Sequence, residues 1–422
     1  MRYIADFHLH SSFSRATSSK ITLESMNHWA KVKGINILSV ADFTHPVWYK
    51  TLKKKLEETA PGLYQLKNFS TATSKSTEKT KPYFILTTEL SCIYSQKDKT
   101  RRLHLLVFAP NLLAVEKINQ KLGQRFNLSS DGRPILGISA KELLKIILDI
   151  SPDCFVVPCH AWTPWYAVFG SKSGFDSIEE CFEEQSKNIF ALETGLSSDV
   201  LMNRLLSSLD KYTLISNSDA HSEKNFGREA NVFNLTELSY KNIINTIKTK
   251  RGFDYTIEFY PEEGKYHWDG HRDCNVFLPP EEAEKTKNIC PKCGKPLTIG
   301  VLHRVKELAD RKEPFLPPSG PGFKNLIPLA EIISQVLKVG KQSKKVENVY
   351  FDLIKKGGSE FNILLDLTKK ELEKIDKKIS EAIILVREGE VIKNPGYDGV
   401  YGEIKIKFLE EDNKNKNQKT LF

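Results

Sequence analysis

The sequence predicts an α/β fold: a parallel sheet or barrel, followed by a small module and a helical region. Three observations carry that reading. Short apolar runs alternate with helical patterns over residues 1–235, as repeated βα units do. Nearly every run closes on a His, Asp or Glu. Further on, His271-x2-Cys274 and Cys290-x2-Cys293 bracket a fifteen-residue stretch, a spacing suited to one tetrahedral metal ion.

The elements follow in order. Tyr3 to Phe7 is a first strand that runs into His8 and His10. Residues two apart on a strand share a side, so the two imidazoles project together. Thr22 caps a helix bearing Leu23, Met26, Trp29, Ala30 and Val32, and Gly34 ends it. Residues 35–40 form the second strand, which leads into Asp42 and His45, and a lysine-rich helix spans 48–58. Residues 70–82 are polar and low in complexity, the pattern of an exposed loop. Strands at 83–88 and 103–108 bring Glu89 and His104; His104 reaches the same rim if its strand is antiparallel or at an edge. After an amphipathic helix over 139–149, strands at 154–158, 189–192 and 212–216 lead into His160, Glu193 and the pair Asp219 and His221. Active groups of parallel α/β folds sit at the carboxyl ends of the strands. A core histidine explains any one of these residues but not their recurrence. Imidazole and carboxylate together suit zinc, manganese or iron, and so many ligands suit more than one ion. Clustered divalent ions suit phosphoester hydrolysis.

Cys290-Pro-Lys-Cys293-Gly294 reads as a zinc knuckle, with His271, or else His267, as the fourth ligand. Four protein ligands leave no open position, so this site is structural. Its basic surroundings suit a nucleic-acid backbone or a solvated charged face. Residues 313–323 are a proline-rich, stiff linker, 326–338 and 368–387 are helices, and Pro395 to Gly402 is a turn-rich loop holding Tyr397 and Tyr401. That loop either stacks on a base or joins two strands. Residues 410–420 are charged and polar, the pattern of disorder. The domains expected are 1–235, 236–312 and 313–405, with a tail over 406–422.

Composition bounds the partners. The 422 residues carry 62 basic and 53 acidic side chains, a net +9, which is compatible with nucleic acid and with an ordinary lysine-rich protein. No apolar run approaches the ~20 residues of a membrane span, and no export leader is evident, so a cytoplasmic location is expected. The three clustered cysteines among seven fit a reducing compartment better than a disulfide framework.

The order His-x-His, Asp, Glu, His, His, Asp-x-His resembles the PHP (polymerase and histidinol phosphatase) superfamily. That resemblance implies a distorted (β/α)7 barrel and a trinuclear metal centre: His8, His10, Glu89 and Asp219 on one ion, Glu89, His104 and His160 on a second, His221 on a third. Many such enzymes read Thr-Asp-His after the second strand; here it is Ala41-Asp42-Phe43. The third-site histidine is therefore missing there: either His45, two residues on, substitutes, or the third ion is weak or absent, with Asp42 a ligand, a support for one, or a catalytic base. The strings Phe13-Ser-Arg-Ala-Thr17, Asp42-Phe-Thr-His-Pro46 and Glu193-Thr-Gly-Leu-Ser-Ser-Asp199 narrow the resemblance to the endonuclease Q family, over about residues 1–405. It implies a monomeric, metal-dependent DNA-repair endonuclease that cuts 5′ of deaminated bases (uracil, hypoxanthine, xanthine) and abasic sites. Zinc is expected in the module and at the strand-end site, with magnesium or manganese as alternatives at the latter. Asp42, Glu193 and Asp199 are the candidate catalytic carboxylates; Asp199 can equally cap the helix that follows it. Gln418 to Phe422 resembles a sliding-clamp-binding box. The competing readings are a small-molecule phosphatase, which needs no zinc module, and a scaffold that only binds nucleic acid.

Overall fold

The computed structural model describes residues 1–67, 81–318 and 320–407. Gln418 to Phe422, and the polar stretch 70–82 except its last two residues, lie outside the described residues.

The fold is mixed α/β. Arg2–Asp6 lies inside an eight-stranded sheet, parallel to Ile37–Ser39 on one side and antiparallel to Ala230–Asn234 on the other. Tyr83–Ile85 continues the parallel run. A four-stranded sheet is built on the long antiparallel hairpin Thr87–Gln96 and Lys99–Phe108, with Phe155–Pro158 beside it. Ala191–Glu193 and Thr213–Ile215 form a third, two-stranded parallel sheet. All three sheets send alternate side chains into one shared core, where Phe7, Ile37, Ile85, Phe108, Phe155, Ala191, Ile215 and Phe233 meet. Phe7 and Phe108 pack edge to face there at 5.3 Å between centroids.

Local signals set the helices that cover these sheets. Leu23–Lys33 opens on a capping box between Thr22 and Ser25 and closes at Gly34 (φ 85°). A β-carbon on Gly34 would also lie 2.5 Å from Ser359 Oγ, so the glycine serves both the cap and a close approach. Ala140–Ile150 is capped by Ser139 and buries Leu143, Leu144 and Ile147.

Several elements differ from expectation. The lysine-rich helix ends at Lys55, because Leu56–Ala60 turns extended and pairs with Leu63–Leu66. The helix expected over 368–387 is two, Lys369–Ile375 and Lys377–Arg387; between them Asp376 accepts from Ile379 N at 3.0 Å and starts a new helix. The sheet continues past residue 235: Phe253–Glu258 pairs with Ala230–Asn234, and Gly322–Asn325, just after the proline-rich stretch, pairs with Phe253–Glu258. Pro395 to Gly402, in keeping with one of its two readings, joins the paired strands Val391–Asn394 and Glu403–Ile406.

The C-terminal helices dock back on the first. Lys33 Nζ lies 2.6 Å from Glu360 Oε2, the Tyr350 hydroxyl donates to the same oxygen at 2.6 Å, and Leu329 N donates to Oε1 at 3.1 Å. The Trp29 ring packs near Tyr350 and Phe351. Among the described residues no helix is long and apolar enough to cross a membrane.

Candidate metal centre

The first strand ends at Asp6, and the chain beyond it is stitched to the segment after Thr213–Ile215. Asp6 accepts from Ser218 N (3.1 Å) and Gly227 N (2.9 Å), Asn217 Oδ1 accepts from Phe7 N (2.9 Å), and His10 N donates to Ala220 O (3.1 Å). These bonds bring His8 and His10 against Asp219. His10 Nε2 lies 3.0 Å from Asp219 Oδ1 and 3.3 Å from Glu89 Oε2; His8 Nε2 lies 3.7 Å and 3.6 Å from the same two oxygens. The long hairpin supplies Glu89 and His104, and the turn after Phe155–Pro158 supplies His160. Glu89 Oε1 is 2.6 Å from His104 Nδ1 and 3.2 Å from His160 Nε2. Three ligand-sized groups result: His8–His10–Glu89–Asp219 and Glu89–His104–His160, with Glu89 common to both, and His8–Cys159–Glu193 on the far side of the His8 ring.

This donor set fits divalent metal ions. His8 Nε2 is buried with no hydrogen-bond partner among the described residues, which costs free energy unless something else faces it. His8 Nδ1 is held 3.0 Å from Glu193 Oε1, and that carboxylate also accepts from Asn217 Nδ2 (2.8 Å) and from His160 N (2.8 Å). The carboxylate thereby orients the ring so that Nε2 faces the cluster, as carboxylates behind metal-binding histidines do. Asp42, His160 and Asp219 all hold positive φ (41°, 28° and 45°) without being glycine, strain that such sites retain for geometry.

The electrostatics point the same way. Burial alone would raise Glu89, but the charges of His104, Arg133 and His8 outweigh it and hold its carboxyl well below the usual range. Burial likewise opposes protonation of His8, yet Glu193, Glu89 and Asp219 outweigh it and raise the imidazole well above its ordinary value. His104 goes the other way, pushed down to about 4 chiefly by burial. A nest of carboxylates that draws protons onto buried imidazoles is one that cations would neutralise.

The remaining expected residues have other places. Asp42 sits behind His10: Oδ1 is 3.4 Å from His10 Nδ1, while Oδ2 accepts from Ser11 N, Ser11 Oγ and Ser14 Oγ at 2.7, 2.7 and 2.8 Å. A β-carbon on Gly132 would lie 2.3 Å from that Oδ2, so the 127–133 loop can press down only with glycine there. Glu193 backs His8 and does not line the cleft. His221 packs its ring 4.4 Å from that of His10, and its Nδ1 is 3.0 Å from Asp219 O; neither it nor His45 joins a ligand-sized group of the described residues. His45 precedes the helix Pro46–Lys55 and stacks on Phe13 at 4.2 Å. Asp199 caps the helix Val200–Asn203 through Met202 N at 2.8 Å, also outside those groups. Glu89 and His104 lie within the strands of the long hairpin rather than at strand ends.

A cleft of about 1120 Å³ opens on these groups. Its floor holds His104, His160, Asp219 and Arg133, the last 2.9 Å from Glu89 Oε2. Its walls add Lys224, Arg228, Lys265 and Lys341, with Trp165, Tyr166, Tyr266 and Tyr401. Tyr401 is 72% exposed, whereas Tyr397 is buried against Phe277 and Gly270. Arg133 and Trp165 were not among the expected site residues. Both lie in irregular segments, Asp131–Pro134 and Thr163–Gly170, where no periodicity marks a direction.

In the module, His271, Cys274, Cys290 and Cys293 have ligand atoms within 4.8 Å of one another. Cys290 N donates to Lys295 O at 2.8 Å and Gly294 N to Cys290 O at 2.9 Å, the knuckle turn that aims both thiols one way. His267 is not in this group: it is buried, its Nδ1 has no partner among the described residues, and burial pushes it down to about 4.

Comparison with known proteins places the whole arrangement. A family model described as the MJ0043 C-terminal domain matches residues 328–390. The uncharacterized protein MJ0043 of Methanocaldococcus jannaschii is 36% identical over 257 residues, which are 59% of this chain and 32% of that protein, so the match spans about a third of its length. The uncharacterized protein YqxK of Bacillus subtilis is 28% identical over 397 residues, 92% of each chain. Among solved structures, the lesion-specific endonuclease PfuEndoQ from Pyrococcus furiosus superposes with a TM-score of 0.84 at 31% identity, covering 96% of both chains. Endonuclease Q in complex with a 27-mer duplex substrate, an abasic lesion at its active site, gives 0.83 at 31% identity over 96% of this chain and 97% of that one. Agreement of that extent, with a carboxylate–imidazole centre in an open cleft, defines a hydrolase of phosphodiester bonds. The chain belongs to the endonuclease Q family.

Proposed function

We propose that this protein is a metal-dependent DNA-repair endonuclease that hydrolyses the phosphodiester bond on the 5′ side of deaminated bases and abasic sites. The observation that carries the reading is Glu89, shared by two ligand-sized groups at the floor of a cleft with basic and aromatic walls. His8, His10, Glu89 and Asp219 would hold one ion, and Glu89, His104 and His160 a second. When bound, zinc, manganese or magnesium ions supply a water that is nucleophilic at neutral pH and charge that offsets the phosphate. The chain's own residues do the rest. Glu193 and Asp42 fix the rings of His8 and His10 from behind. Arg133 places a guanidinium on the cleft floor beside Glu89, where a phosphate oxygen can accept from it. Trp165, Tyr266 and Tyr401 offer ring faces to unstacked bases. The P–O3′ bond breaks, leaving a 3′-hydroxyl upstream and the lesion nucleotide with its 5′-phosphate.

The same reading takes in a distorted barrel around the shared core, a structural zinc ion on His271, Cys274, Cys290 and Cys293, and a monomer in the cytoplasm. It also takes in a clamp-binding tail at Gln418 to Phe422. The deciding experiment incubates metal-loaded protein with labelled duplexes carrying one uracil, hypoxanthine or abasic site. Nicking 5′ of the lesion with controls intact is expected. Turnover of generic phosphomonoesters with no cutting of damaged DNA would overturn the reading.

A further inference from the structure

A second cavity, about 670 Å³, lies beside the cleft and shares Trp165 with it. The start of Lys99–Phe108 lines one side, and the loop Gly170–Gly174 lines another. That loop is wound tightly: a β-carbon on Gly170 would lie 2.5 Å from Thr163 O, and one on Gly174 2.3 Å from Gly170 N. It presents Ser171 and Lys172 to the groove.

The charges here divide into two sets. Arg304 is spent internally, on Phe169 O and Phe175 O at 3.1 and 3.3 Å, on Glu307 at 2.8 Å, and on Asp176. Lys99, Arg102 and Lys172 have no carboxylate partner among the described residues. Arg101 stands between the sets. It is 6% exposed, lies 3.9 Å over the Phe175 ring, donates to Gly174 O and sits 3.5 Å from Glu180, yet its Nε is buried with no partner among the described residues. Three unpaired cations face one groove. A strand of phosphates would supply acceptors for the three cations, Lys99, Arg102 and Lys172, whereas the buried Arg101 Nε lies out of its reach.

The groove is also wired to the metal centre. The Arg102 guanidinium is 5.9 Å from the Tyr166 ring, and that ring packs 4.6 Å from His104. We infer that this groove binds the sugar–phosphate backbone of the nucleic acid as it leaves the cleft past Trp165. Lys99, Arg102 and Lys172 would be its phosphate contacts. The inference rests on the proposed action on DNA. It predicts contacts blind to sequence and to damage, because phosphates carry neither.

The test measures equilibrium binding of full-length protein to lesion-bearing and undamaged duplexes across a salt series. Wild type is compared with Lys99→Gln/Arg102→Gln/Lys172→Gln, and with Lys99→Gln/Lys172→Gln, whose two side chains are exposed. Each phosphate contact contributes about 0.9 to the slope of log K against log salt, so the triple variant should flatten it by roughly two to three and the double by about two. Affinity should fall roughly tenfold or more for the triple, equally on both duplexes. Unchanged affinity and slope in the double variant, with lesion cutting by wild type intact, would overturn the groove alone. A loss confined to lesion duplexes would overturn it too, by making these residues readers of damage. A wild type that binds no DNA would overturn both proposals.

Discussion

Replacing Lys33 with Met tests how the C-terminal helices are held to the rest of the chain. Lys33 and Glu360 are each 6% exposed, so the ion pair is out of water. Removing one member of such a pair leaves an uncompensated buried charge, at a cost of about 3–5 kcal/mol. Here Glu360 would keep two donors, the Tyr350 hydroxyl and Leu329 N, which favours the lower end. A loss of about 3 kcal/mol is roughly 150-fold in the docking equilibrium. Pairing Lys33→Met with Glu360→Gln removes both charges while leaving an acceptor for the Tyr350 hydroxyl and Leu329 N, and should cost less than Lys33→Met alone, because no ion is stranded. The assay is native-state hydrogen exchange on the helices Leu329–Leu337 and Lys344–Gly357, with the strand Arg2–Asp6 as internal reference. Protection of the helices should fall while that of the strand holds. Because Pro328, Glu331 and Lys341 line the cleft, KM for duplex substrate should rise with it. Unchanged helix protection in Lys33→Met, or a double variant worse than Lys33→Met alone, would refute the reasoning.

Other outcomes follow from the site. Glu89→Ala or Asp219→Ala should abolish cleavage with the fold kept, since losing a ligand weakens metal binding more than the ~10–100-fold cost of losing a residue behind one; cleavage at the wild-type rate would sink the ligand assignment. Cys290→Ser should lower zinc content, melting temperature and DNA affinity together, and a variant unchanged in zinc content and melting temperature would contradict the structural role. His267 is held at about 4 by burial against an ordinary 6.5, so its neutral form stabilises the fold above pH 6.5 and that stabilisation drains away as pH falls towards 4; urea melts of His267→Phe should lack about 2–3 kcal/mol of the wild-type slope across that window. A variant ending at Asn417 should lose affinity for a sliding clamp in a direct titration, and equal binding would remove the tail from the contact.

Much of the centre was legible because strand geometry is regular. His8 and His10 lie two apart just beyond the first strand, and Asp219 and His160 follow two others, so residue type and position pointed to them. Glu89 and His104 were legible as residues but not in placement, because the hairpin carrying them runs on for ten residues in each arm. Asp199 and His45 make contacts that spacing does not encode: a cap to Met202 N and a stack on Phe13. Arg133 and Trp165 lay beyond reach because turns give a side chain no periodic direction. The split at Asp376 was hidden because the apolar spacing of Leu372, Ile375, Ile379 and Ile383 continues across it, while the cap depends on one carboxylate.

The walls of the cleft come from distant parts of the chain, and this orders events during synthesis. The carboxylates and imidazoles of both ligand groups have all been made once Asp219 is added, little more than halfway along. Tyr401 and Gly402, which complete the opposite wall, are among the last described residues. A nascent chain therefore carries the ligands of a hydrolytic centre long before it has the groove that would seat a duplex. The residues that line the far side of the cleft are thus added well after the residues of the ligand groups, so a chain cut between the two would keep the ligand set without the complete surface around it.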